Sequence, residues 1–96
     1  MSTMDVASIE GDTYLAPISK KITGNIILVA PMSIQKKLNR IEFKFKDQIV
    51  SKNLRFVNDL IDVFIIFEGS VQEFQKIVVE INSIKEIKNF RYLIIN

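Results

Sequence analysis

The 96-residue chain contains no histidine, no cysteine and no tryptophan. Each zero excludes a class of chemistry. Without histidine there is no Ser-His-Asp or Cys-His nucleophile system. Without cysteine there is no disulfide and no reactive thiolate. Together the two absences remove the imidazole and thiolate ligands on which zinc, copper and haem sites are built. No metal and no cofactor is expected, and the chain reads as non-catalytic. Glycine (3) and proline (2) are scarce as well. Their scarcity excludes a collagen-like or low-complexity chain and leaves no glycine-rich nucleotide fingerprint. Long apolar runs are missing too. The longest are 26–32 and 60–67, the second broken by Asp62, against the roughly 20 residues that a membrane helix needs. The N-terminus lacks the basic region of a signal peptide. Absence of cysteine suits a reducing compartment. A cytoplasmic protein without a membrane partner is expected.

What is present is a globular composition, 48% hydrophobic and 25% charged. The length fits one domain, and a domain this small buries only about 60–65% of its unfolded surface. Charge is unevenly spread. Residues 1–19 carry Asp5, Glu10 and Asp12 with no Lys or Arg, so the remainder holds a net +5 of the chain's overall +2. We divide the chain accordingly. Residues 1–19 form a flexible or edge-strand segment, with 13–15 as a short strand ahead of Pro17. Residues 20–96 form the folded domain.

Periodicity orders that domain. Residues 22–30 hold the β-branched run Ile26, Ile27 and Val29 and read as a buried strand closed by Pro31. Gly24 marks a bulge within it. Ser33 is a candidate N-cap. After it Ile34, Leu38, Ile41, Phe45 and Ile49 recur at helical spacing, with Lys36, Lys37, Arg40 and Lys44 on the other side. A strand reading competes at 41–46, where Ile41, Phe43 and Phe45 alternate with charge. The longer helical window is favoured. Residues 50–57 and 60–67 read as strands joined by the turn Asn58-Asp59. Ser70-Val71-Gln72-Glu73 is a capping box, and Phe74, Ile77, Val78 and Ile81 follow at helical spacing. Residues 89–95 form a last strand.

The order β-α-β-β-α-β is the ferredoxin-like split βαβ arrangement. This α+β fold has a four-stranded antiparallel sheet with two helices on one face. Strands 22–30 and 60–67 place large side chains on both faces, and two helices cover only one. An uncovered apolar face exceeds what monomers tolerate, so a homo-oligomer, a dimer or tetramer, is expected through the sheet. Folding of residues 1–19 over that face is the alternative. Phe43 lies off the helix's apolar stripe, which also points to an interface.

The segment 24–95 resembles the C-terminal regulatory domain of the nickel-responsive transcription regulators. The resemblance rests on Asp47 near the end of the first helix, the strand 49–56, the turn Asn58-Asp59, and the strand ending Phe67-Glu68-Gly69. The helix 71–81 and a strand after Glu86-Ile87 complete it. The chain is similar, more distantly, to small regulators of the iron-only hydrogenase system and to ACT-type ligand-binding domains. The resemblance implies a regulatory, oligomeric domain. It places the family's three nickel histidines on Phe43, Leu54 and Phe56 and its cysteine on Ile61. All four are apolar here, so nickel at this set is excluded. Replacement of the ligands by Phe43, Leu54, Phe56 and Ile61 implies a packed oligomer interface. The family's DNA-binding ribbon-helix-helix has no counterpart, because residues 1–20 are too short and too acidic for one.

Other chemistry is thinner. Asp62 interrupts an apolar run but can reach solvent or Arg55 across the hairpin. Interleaved basic and aromatic residues (Lys44-Phe45-Lys46, Arg55-Phe56, Arg91-Tyr92) occur in RNA-binding sheets. Here 63–68 has Phe64 and Phe67 without the basic residue and glycine of the RNA-recognition signature. The expected function is a small, non-catalytic regulatory domain acting by self-association and by binding a small molecule or protein. The alternative is a nucleic-acid-binding protein that uses the anion-attracting helix face Lys36, Lys37, Arg40 and Lys44.

Overall fold

A computed structural model describes residues 21–95. The expectations for residues 1–19, including the strand at 13–15, lie outside the described residues. The elements run β1 (Lys21–Pro31), a 3-10 turn (Met32–Ile34), α1 (Gln35–Lys44), β2 (Ile49–Val57), β3 (Leu60–Ser70), α2 (Val71–Asn82) and β4 (Asn89–Ile94). The sheet order is β2-β3-β1-β4, antiparallel at every step. This is the α+β arrangement expected from the element order.

Strand period two divides the sheet cleanly. Ile22, Ile26, Leu28 and Ala30 of β1 and Ile61, Val63, Ile65 and Phe67 of β3 are buried on one face. Leu38 and Ile41 of α1 and Phe74, Ile77 and Ile81 of α2 close over them. All sixteen buried core residues are apolar, and among the described residues no polar or charged residue is fully buried. Hydrophobic burial therefore holds this fold, at roughly 25 cal/mol per Å² of apolar area.

Several local expectations shift. Gly24 makes no bulge: β1 pairs with β3 in unbroken register from Lys21 to Pro31. It is glycine because the Phe74 ring lies directly on it, and a Cβ there would overlap ring carbons. The bulge falls instead on β2, where the register slips between Ile49 and Ser51. Ser33 does not cap α1. It sits inside the 3-10 turn, and neither the turn nor α1 receives a side-chain cap. The first helix also stops at Lys44, not at 49. Phe45 leaves the helix at φ −112°, ψ 25°, yet stays buried, and Ile49 opens β2 on the same side. One apolar stripe thus runs from helix into strand.

Two signals behave as read. The hairpin turns at Asn58-Asp59, with Asn58 at φ 57°, a left-handed conformation that asparagine tolerates. The capping box forms in full. Ser70 Oγ accepts from the Glu73 N–H at 3.1 Å, and Glu73 Oε1 accepts from the Ser70 N–H at 2.9 Å. Gln48 Nε2 donates to the other carboxylate oxygen of Glu73 at 3.1 Å, tying the box to the turn before β2. Ser70→Ala should cost about 1 kcal/mol, which lowers Tm by roughly 4–8 °C in a domain of this size. An unchanged melting curve would show that the cap contributes nothing.

Candidate functional site

The face of the sheet turned away from the helices is uncovered by any described element. Its rows follow from the pairing. Asn53, Phe64, Ile27 and Arg91 lie in one line across the four strands. Ser51, Ile66, Asn25 and Leu93 form the next, and Arg55, Asp62, Val29 and Asn89 the one beyond. The face is a mosaic of apolar groups separated by amides and single charges. Ile27 is 42% exposed and Leu93 61%, while Val29, Phe64 and Ile66 are half-buried.

Two polar features stand out there. Asp62 accepts from Arg55 Nη2 at 2.9 Å across the hairpin, the partner its position implied. Arg55 is 76% exposed, so the pair is solvated and contributes little to stability. Asn25 Oδ1 is closed off from solvent with no donor among the described residues. An unmet buried acceptor costs about 1–3 kcal/mol. Near it an open hollow of about 430 Å³ is lined by Ile27, Asn53, Arg55, Asp62 and Phe64, among others.

The four apolar positions singled out by the sequence do not share a surface. Ile61 is fully buried beneath the helices. Leu54 is half-buried against the core from the neighbouring strand. Phe56, opposite Ile61 on β2, is 59% exposed at the helix-side edge. Phe43 is 70% exposed on α1, with Lys46 Nζ over its ring at 4.9 Å from the centroid. Ile61 is thus a core residue of the single chain, and only Phe43 and Phe56 offer a contact.

The basic positions do come together. Lys36, Lys37, Arg40 and Lys44 line one side of an open groove of about 890 Å³, with Phe43 among them and Glu80, Ser83 and Ile84 opposite. Two of the four are already neutralised. Lys37 Nζ meets Glu86 at 3.1 Å, and Lys44 Nζ meets Glu80 at 2.9 Å. Lys52 bridges to Glu42 at 2.8 Å from β2 to α1. The helix face is less positive than the sequence alone implies.

Glu86 shows the effect. Its carboxyl is held below the ordinary glutamate value, first by the hydrogen bond from Lys37 and then by a backbone N–H bond. A depressed carboxylate contributes stability above its unfolded pKa and loses it as pH falls through the folded one. Both side chains are solvent-exposed, so that contribution is small. Lys37→Gln should move the Glu86 titration, followed by NMR, back up toward the ordinary range. No movement would mean that the pair does not form in solution.

Among the described residues no three His, Cys, Asp or Glu side chains stand together as a metal site, and no helix is long and apolar enough to cross a membrane. No protein-family model matches the chain. No curated protein sequence matches it either. Solved structures do. An uncharacterized protein from Thermotoga maritima superposes over 80% of this chain and 100% of its own, with a TM-score of 0.73 at 10% identity. The crystal structure of the ACT domain from the GTP pyrophosphokinase of Chlorobium tepidum covers 77% of this chain and 100% of its own, with a TM-score of 0.67 at 9% identity. The solution structure of that ACT domain gives a TM-score of 0.62 at 10% identity, over 76% of this chain and 86% of its own. The fold is ACT-like. At such identities the likeness is one of fold alone, and what an ACT-like domain does must be argued from its surfaces. Here those surfaces are the uncovered sheet face and the helix-side groove.

Proposed function

We propose that this chain is a small, non-catalytic regulatory domain that acts by self-association and by binding a small molecule or a protein. Residues 20–96 are the working unit, and the protein is cytoplasmic. The carrying observation is the sheet face that no described element covers, where Ile27, Phe64, Ile66 and Leu93 lie side by side across three strands. Exposed apolar area of that kind, rimmed by polar groups, marks a binding surface. The ACT-like fold agrees with a regulatory role, and the apolar set Phe43, Leu54, Phe56 and Ile61 keeps the distant kinship with metal-responsive regulators as a proposal about origin, without the metal. The test is Ile27→Asp. It should leave the circular dichroism spectrum native and lower the mass measured by light scattering. A native spectrum with unchanged mass would remove the sheet face from self-association.

A second reading is favoured by the groove that gathers Lys36, Lys37, Arg40 and Lys44 beside Phe43. A nucleic acid bound there would show strongly salt-dependent affinity. Neutralising Lys36 and Arg40, the two without a carboxylate partner among the described residues, should abolish it. Flat binding curves at low salt would end this reading.

A further inference from the structure

The sharpest charge contrast in the chain lies between two of its own parts. Residues 1–19 hold Asp5, Glu10 and Asp12 without a Lys or Arg. The groove beside α1 gathers Lys36, Lys37, Arg40 and Lys44. Glu86 meets Lys37 and Glu80 meets Lys44. Lys36 and Arg40 are both exposed and meet no carboxylate among the described residues. They stand at i and i+4 of α1, on one face of the helix. Phe43, 70% exposed, continues that line and adds apolar surface beside the two charges.

Reach agrees with charge. Lys21 lies opposite Ser70, where α2 begins. Glu80, on the groove's wall, is about 15 Å further along α2 at 1.5 Å per residue. The pairs Lys44 with Glu80 and Lys37 with Glu86 show that α1 runs the opposite way. Lys36 is therefore about 12 Å beyond Lys44, and the groove extends roughly 15–27 Å from the level of Lys21. Residues 13–20 can span up to about 26 Å at roughly 3.3 Å each, which lets the stretch 5–12, with all three acids, come over the groove. Tethering on one chain gives an effective concentration in the millimolar range, so a weak contact is enough.

We propose that residues 5–12 of this same chain dock in the α1 groove, with their carboxylates on Lys36 and Arg40 and with Val6 and Ile9 against Phe43. The sheet face that no described element covers is the competing seat, and it suits the acids less. Arg55 there is already bonded to Asp62, and Arg91 is the one charge in its row. With the groove occupied in this way, an anion from outside competes with the chain's own acids for the two bases. The inference goes beyond both functional readings and does not require self-association.

The absence of cysteine makes the test clean, because Ser8→Cys carries a nitroxide label at one place only. In amide NMR spectra of the full chain the label should weaken signals most along α1 from Lys36 to Lys44 and at Ser83 and Ile84. It should weaken them least at Ile27, Phe64 and Leu93, across the sheet. Lys36→Glu combined with Arg40→Glu should restore the α1 signals at least twofold while the circular dichroism spectrum stays native. A salt concentration of 1 M, which screens charges beyond about 3 Å, should do the same without any substitution in the groove. Weakening centred on the sheet face would place the segment there and overturn the proposal. Weakening that is even, absent, or unmoved by both charge reversal and salt would overturn it too. The same pattern carried from a labelled copy to an unlabelled one would mean a contact between chains and would equally overturn it.

Discussion

Ile61→Asp should unfold the protein, while Phe56→Asp, directly opposite it on the next strand, should not. Ile61 is fully buried on the helix side of β3, between Ala30 of β1 and Phe56 of β2. Removing a buried isoleucine costs about 2–5 kcal/mol. The carboxyl put in its place finds no polar or charged residue in the core to pair with. It escapes the charge only by staying protonated, and a shift of 3–5 pKa units corresponds to about 4–7 kcal/mol. The two costs together rival the roughly 5–15 kcal/mol that stabilises a typical domain. Phe56 is 59% exposed, so its replacement disturbs little of the core. The far-UV spectra of the two variants are the measurement. A folded Ile61→Asp that changes only the oligomeric state would mean that Ile61 faces a partner, as the resemblance to metal-responsive regulators implies, and that the packing described above is wrong.

Phe74→Ala should be nearly as severe. Phe74 is 2% exposed and joins α2 to three strands. Its ring packs on Phe67 at 5.2 Å and on Tyr92 at 5.9 Å, and it covers Gly24. Phe→Ala changes in cores cost about 3–5 kcal/mol, enough to lower Tm by more than about 12 °C here. Gly24 gives the sharper version. In the native protein Gly24→Ala should be strongly destabilising, because its methyl overlaps the Phe74 ring. In the Phe74→Ala background that methyl fills vacated space, and replacing glycine in a strand also restricts the unfolded chain. The same substitution should then be neutral or stabilising. Urea midpoints of the four proteins give the coupling directly. Additive effects would show that the ring does not rest on Gly24.

The element order was legible because each segment's apolar period is strong. The β-branched residues of β1, the capping box before α2 and the Asn58-Asp59 turn are all local signals. What stayed hidden depends on distant contacts. Gly24 is visible as a glycine, but its reason is a phenylalanine fifty residues on. Ile49 continues the helical spacing of Phe45, yet it opens a strand, because helix and strand bury the same side and spacing cannot tell them apart. Leu54, Phe56 and Ile61 look alike as apolar residues in a hairpin. Only the register separates the core position from the exposed one. The basic stripe on α1 was legible as charge, but not its partial cancellation by Glu80 and Glu86 from elements 36 and 49 residues away. Neither was the placing of β2 and β4 at the two edges, since strand order is a property of the whole sheet.

The proposed function rests on self-association of this domain. Sedimentation equilibrium of the full chain, from low to high micromolar concentration, tests it most directly. The mass should rise with concentration from that of the 11.1 kDa chain to at least twice that value. A mass of one chain at every concentration would contradict it.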